Sequence, residues 1–211
     1  MINSVLNTAW IFLFDREQLV ASFIFLFAIA ISIYICGVLV CRSLSKAGAI
    51  LENSGNAKDI WMTRLFTLNG LAFYGTWCTI ATLLNLVIVL QYVGLVDAYV
   101  CAWVALGILT LELICWFILE TFIFDHHLRY CFSPYIVLLV AFSGLLSKQY
   151  DPAAPATYIY YVFFLIALSA VLAVIKVLVM IIKGCKNPIQ YNHVMIEPTL
   201  SKEQEANSIP L

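Results

Sequence analysis

The sequence predicts an all-α integral membrane protein, a six-helix transmembrane bundle followed by a disordered tail. Three observations carry that prediction. Hydrophobic residues make up 64% of the 211 and charged residues only 11%, far below the about 25% of a soluble domain. Six long apolar runs follow one another with short polar breaks. The lysines and arginines outside those runs fall almost entirely on one side of the resulting topology.

The six runs are Ile2 to Phe14, Leu19 to Cys41, Leu65 to Tyr92, Ala98 to Phe124, Tyr130 to Leu146 and Tyr158 to Ile182. A spanning helix needs roughly 20 apolar residues at about 1.5 Å each, so the first run is short. It has no basic stretch before it and no small-residue cleavage site after it, which makes it a retained helix and not a signal peptide. The "DREQ" at 15–18 turns the chain tightly into the second helix, and the 42–64 segment, with Gly48, Asn53, Ser54, Gly55 and Asn56, reads as a flexible connection. Ser133-Pro134 fits a helix start with proline at the first position, and "YDPAAPA" at 150–156 is a stiff loop. The polar stretch 185–211 reads as a disordered tail after a transmembrane domain of 1–184.

Positive residues resist translocation, which fixes the orientation. With six spans, the side of both termini holds Arg42, Lys46, Lys58, Arg64, Arg129, Lys183, Lys186 and Lys202, against Arg16 and Lys148 on the other. Both termini are therefore expected in the cytoplasm. Seven cysteines form no CxxC pair and imply no disulfide framework, while Cys41 and Cys185, beside Arg42 and Lys186 at expected membrane edges, permit palmitoylation. No Asn-x-Ser/Thr sequon occurs, and the formal net charge of −1 argues against a nucleic-acid partner. In the tail, "YNHV" at 191–194 has the form of a sorting signal and the final "IPL" that of a PDZ-binding end, patterns short enough to arise by chance.

Glu112, Trp116 and Glu120 stand at i, i+4 and i+8, so one stripe of the fourth helix carries two acids that cannot face lipid cheaply. Glu120 and Lys176 lie about 6 to 9 Å inside the same boundary and are expected to pair between the fourth and sixth spans. Glu112 is deeper, with Thr79, Thr82, Thr110, Ser143 and Ser169 as candidate neighbours. It reads either as a neutral acid donating a structural hydrogen bond or as a proton or cation relay. Asp125, His126 and His127 are consecutive and cannot converge on one metal from a helix, so a hydrated interfacial turn is expected there, with Arg129 and Tyr130 anchoring the next helix. No catalytic triad, phosphate loop or dinucleotide glycine pattern appears, so neither an enzyme nor a cofactor is expected.

Phe73 to Tyr92, "FYGTWCTIATLLNLVIVLQY", resembles the fifth helix of the translocator protein family, the TspO or tryptophan-rich sensory proteins. That family's pattern Trp-x3-Ala-Thr-x-Leu-Asn is met by Trp77, Ala81, Thr82, Leu84 and Asn85. "LNTAWIFLF", Leu6 to Phe14, is similar to the family's third helix, and the 19–41 run falls where the fourth belongs, so the resemblance covers roughly residues 2–92. The remainder looks like the back half of larger TspO-related membrane proteins. The family's first two helices with their Trp-x-Pro-Pro loop, and its sterol-recognition pattern, have no counterpart here, which suits a shortened form of a longer protein. The resemblance implies a cavity for a lipophilic small molecule, tetrapyrrole or sterol-like, walled by Asn7, Trp10, Trp77, Ala81, Leu84 and Asn85. Read from spacing alone, positions 77, 81, 84, 85 and 88 make one helical face, which serves equally to hold a flat ligand or to pack a neighbouring helix. The expected function is binding or transport of such a ligand. The alternatives are a small proton-coupled or cation transporter using Glu112, or a non-catalytic subunit of a homo- or hetero-oligomer. The resemblance points to an organelle membrane, the tail to the cell surface.

Overall fold

The computed structural model describes residues 2–148, 156–187 and 189, and no strand occurs among the described residues. Helix α1 spans Ile2–Asp15, α2 Leu19–Asn53, α3 Ala57–Tyr92 and α4 Ala98–Ile123. A single turn, α5 (Asp125–Leu128), precedes α6 (Ser133–Lys148) and α7 (Ala156–Lys186). The "YDPAAPA" loop lies outside the described residues up to Ala156, which begins α7, and both tail motifs lie outside them as well. Each of the six apolar runs forms a helix. Four helices, α2, α3, α4 and α7, are long and apolar enough to cross a membrane, whereas α1 with 14 residues and α6 with 16 are shorter than a full crossing.

The expected flexible 42–64 connection is absent, because α2 continues without a break to Asn53. The "SLSKAGAILE" segment holds strong helix formers, and Leu44, Gly48 and Ala49 are buried with Ile60 in a small core of their own. The break that remains is a Schellman turn: Asn56 N–H donates to Leu51 O at 2.9 Å and Gly55 N–H to Glu52 O at 3.2 Å. Gly55 adopts φ 77°, which only glycine reaches without strain. The "DREQ" hairpin closes in the same manner, with Gln18 N–H on Leu13 O at 2.9 Å and Glu17 at φ 58°.

Two apolar cores organise the packing. One joins α2 and α3 through Leu26, Ile29, Ala30, Ile33 and Cys78, with the half-buried Leu6 and Trp10 of α1 packed against it; the other joins α3, α4, α6 and α7 through Leu83, Leu109, Leu113, Leu138, Phe142 and Leu165. Helix α3 belongs to both. Its contact with α2 is close at Gly75, where a Cβ would sit 3.4 Å from both Ile33 Cγ2 and Tyr34 Cε1. At one end of the bundle Tyr99, Trp103, Tyr158 and Tyr161 form an aromatic cluster, and Asp97 caps α4 by accepting from Tyr99 N at 2.9 Å and Val100 N at 3.2 Å.

Buried Asn69 fastens the opposite end. Its Nδ2 donates to Tyr130 O at 2.8 Å and Arg64 O at 3.1 Å, while its Oδ1 accepts from the amides of Phe132 and Ser133 at 3.0 and 3.1 Å. The start of α6, whose first amides have no intrahelical partner, is thus held by α3. Residues Thr63–Leu68, just before Asn69, form a π segment, and so do Leu119–Ile123 at the end of α4.

The close approach at Gly75 generates a test. Gly75→Leu is expected to lower thermal stability in detergent by about 1–3 kcal/mol through overpacking against α2. Gly70→Ala, whose new Cβ meets nothing within 4 Å, is expected to be neutral or stabilising by about 0.5–1 kcal/mol. A gain in stability for Gly75→Leu matching that of Gly70→Ala would show that helix propensity outweighs any crowding at the α2–α3 contact.

Candidate functional site

The six residues carried over from the resemblance do not share one cavity. Trp77, Ala81 and Leu84 line a groove of about 730 Å³ between α3, α4 and α6, whose other walls, such as Leu106, Val140 and Phe142, are apolar. Asn85 is turned about 100° from Leu84 and is buried on the far side. Its Oδ1 accepts from Ser22 Oγ at 3.2 Å and its Nδ2 donates to Ala81 O at 3.0 Å, so it is a polar joint between α2 and α3. Trp10 packs against the α1–α2–α3 core, and Asn7 is half-buried on α1. The polar contact from α1 comes instead from Asn3, which donates to Ser32 Oγ at 2.8 Å.

A second cavity, about 540 Å³, opens between α2, α3 and α4. Phe23, Phe27, Ile31 and Tyr34 form its α2 wall, Thr76, Thr79 and Thr82 lie on α3, and Ile108, Glu112 and Trp116 lie on α4. Phe23 and Phe27 stack with centroids 6.3 Å apart, and Tyr34 meets Trp116 across the cavity at 6.3 Å. Glu112 is the one ionisable acid on these walls. The expected hydrogen bond from Glu112 to a neighbouring hydroxyl is not formed, and its carboxyl makes no hydrogen bond or ion pair among the described residues. Thr110 faces away, bonded to Leu106 O at 2.6 Å and Tyr161 OH at 2.8 Å, while Ser169 is buried on α7.

Eight residues along, Glu120 has the opposite surroundings. It is 0% exposed and sits in the π segment, where the widened turn directs it into the core. Lys176 Nζ, 2% exposed, lies 3.4 Å from Glu120 Oε1, and Tyr135 OH donates to the same oxygen. Lys176 also donates to Leu128 O of α5 at 3.1 Å, and Lys183 Nζ donates to Thr121 O near the end of α4 at 3.2 Å, so cations of α7 reach backbone carbonyls of both.

In the 125–130 turn His126 is exposed and Asp125, His127, Leu128 and Tyr130 are half-buried, while Arg129, expected to anchor at the headgroups, is buried. Arg129 is only 8% exposed: its guanidinium reaches Asp125 Oδ2 at 2.7 Å and donates to Asn187 O at 2.6 Å. Lys183 approaches Asp125 Oδ1 at 3.0 Å. Burial alone would raise the Asp125 carboxyl, but the hydrogen bonds and charges of Arg129 and Lys183 outweigh it and hold the group below the usual aspartate range. His127 Nε2 meets Ser45 Oγ at 3.0 Å, and burial, followed by the charges of His126 and Arg64, keeps the His127 imidazole below its ordinary value. Arg64 is buried against Trp61 and Tyr130, with its guanidinium carbon 5.9 and 5.4 Å from their ring centres. Among the described residues no group of three metal-ligating side chains converges.

Tyr135, Asn69 and Tyr34 are the side chains that sequence reasoning passed over. Tyr135 had a usable signal: it sits in the first turn of a helix starting near the depth at which Glu120 ends its own. Asn69 and Tyr34 lie in apolar runs without a marking pattern. No protein-family model matches the chain, and no characterised protein or solved structure matches it.

Two tests follow from this geometry. Glu120→Gln and Lys176→Met should each cost about 3–5 kcal/mol of stability by leaving a buried charge unpaired, and the double mutant should cost less than their sum by about 0.5–3 kcal/mol. Glu112→Gln, facing a separate cavity, should couple to neither; strict additivity of Glu120 and Lys176 would disprove the pairing. The second concerns acid stability. Because the folded Asp125 carboxyl is depressed, its contribution is full above the unfolded value of about 3.9 and lost as pH falls through the lower folded value. The drop in melting temperature between about pH 5 and about pH 3 should therefore be smaller in Asp125→Asn than in the wild type.

Proposed function

We propose that the protein is a non-enzymatic, multi-pass membrane protein that binds a small lipophilic molecule in the cavity between α2, α3 and α4. Membrane residence is supported by four sufficiently long apolar helices and by their surfaces. Only 17% of the most apolar window of α7 is buried, and Val171, Val174, Leu178, Ile181 and Ile182 are exposed along it. A soluble monomer rarely exposes apolar surface so continuously. The distribution of Lys and Arg supports cytoplasmic termini and a six-helix bundle in which the short α1 and α6 complete the set.

The observation that carries the ligand reading is the cavity itself. Its volume of about 540 Å³ lies within the roughly 300–1,000 Å³ of small-molecule sites, and its walls are apolar and aromatic with few polar groups. The TspO resemblance of residues 2–92 supports the same reading, with a displacement of the site: the cavity holding Glu112 adjoins the groove of Trp77 and Leu84, and Ile80, Leu83 and Leu109 line both. The unpartnered Glu112 also favours a second reading, proton-coupled transport. Proton flux into liposomes that is lost in Glu112→Gln would support it.

Ligand binding can be tested with 1-pyrenebutanol, a flat neutral lipophile, in phosphatidylcholine nanodiscs. Saturable quenching of tryptophan emission is expected. Cys115→Phe and Thr76→Phe, which fill the cavity, should each reduce binding about tenfold or more while thermal unfolding stays cooperative. Ala81→Phe, which fills the Trp77 groove instead, should leave binding unchanged. Quenching that never saturates would refute a specific site, and loss with Ala81→Phe alone would move the site to the other groove.

A further inference from the structure

The donors and acceptors on the walls of the Glu112 cavity restrict what can occupy it. Each threonine hydroxyl is committed to its own helix: Thr76 donates to Ala72 O at 2.8 Å, Thr79 to Gly75 O at 3.0 Å and Thr82 to Cys78 O at 2.7 Å. Tyr34 OH lies 2.9 Å from Thr79 Oγ1, and because the Thr79 proton is already used, Tyr34 is the donor of that pair. The indole N–H of Trp116 makes no hydrogen bond and is buried away from the cavity surface. Apart from the weakly polar Cys115 thiol, no donor is left facing the cavity, and Glu112 is a strong acceptor without a donor. No Lys or Arg stands on these walls. Arg42 lies two helical turns beyond Tyr34 on α2, and Lys176 is taken up by Glu120.

We propose, resting on the ligand reading above, that the occupant is a lipophilic amine bound in its protonated form, with Glu112 as its counter-ion. An ammonium supplies both things the walls lack, a positive charge and N–H donors. A carboxylate would meet only like charge, and a carbonyl or ether would find no donor. The aromatic residues agree in chemistry and in position. Tyr34 and Trp116, aromatic rings of a kind that attract a cation, line the Glu112 end, whereas Phe23, Phe27 and Ile108 give the other end a purely apolar lining for the ligand body. The Glu112 side chain is exposed, and where lipid in place of water surrounds it a single charge pair discriminates between ligands of one shape.

A matched series isolates the charge. 1-Pyrenebutylamine, 1-pyrenebutanol and 1-pyrenebutanoic acid share one body and differ in the head group. Each is titrated at neutral pH into the protein in phosphatidylcholine nanodiscs, where the lipid carries no net charge. The expected result is that the amine binds about tenfold or more tighter than the alcohol, with no saturable binding of the acid. Glu112→Gln should bring the amine and the alcohol to about the same affinity, and Glu112→Asp should retain part of the preference. Equal affinities for amine and alcohol in the wild type would overturn the amine proposal while leaving the lipophile site standing. So would an amine preference that survives in folded Glu112→Gln. If neither amine nor alcohol saturates, both readings fall. The wild-type series decides the matter even if Glu112→Gln does not fold.

Discussion

The buried pairing of Glu120 with Lys176 is the constraint around which one end of this bundle is built. Two charges withdrawn from water cost several kcal/mol each, and they are tolerable only with good geometry and further hydrogen bonds. The surroundings supply them at one carboxylate oxygen: Tyr135 donates to Oε1 and the ammonium also reaches Leu128 O, while Oε2 is buried without a hydrogen bond among the described residues. Three elements, α4, α6 and α7, must therefore arrive at one point. The π segment at Leu119–Ile123 is the backbone feature that turns Glu120 to meet them, and Lys183 on Thr121 O repairs part of the disruption that the segment introduces.

Around that pair the same end is closed by polar joints in place of a large apolar core. Asn69 ties α3 to the start of α6 with three side-chain hydrogen bonds, and Arg64 sits between Trp61 and Tyr130. Asp125, Arg129 and Lys183 add a further layer outside. Each buried cation has a partner that a charged group accepts: a carboxylate, a carbonyl or a ring face.

Glu112 and Glu120 show how environment separates two identical side chains on one helix. Glu120 has a cation, a phenol and complete burial, and it serves the fold. Glu112 has neither a cation nor a free hydroxyl to meet it, and faces a cavity with aromatic walls. A group whose charge has been left unneutralised by its own chain is suited to a ligand that brings the opposite charge.

The sequence by itself determined the helical class, the positions of the six apolar helices, the start of α6 at Ser133 and the common depth of Glu120 and Lys176. All of these depend on local periodicity, proline and turn chemistry, or rise per residue, which one strand of text contains. Tertiary structure decided the rest. The continuation of α2 through Gly48 to Asn53 rests on burial against Ile60, and the burial of Arg129 rests on Asp125 together with carbonyls from α7. Separating Trp77, Ala81 and Leu84 from Asn85, and turning Glu112 away from Thr110, depends on which neighbour each helix face meets. A rotation of about 100° per residue moves a side chain from one cavity to another, and that neighbour is chosen by packing between helices far apart in the chain.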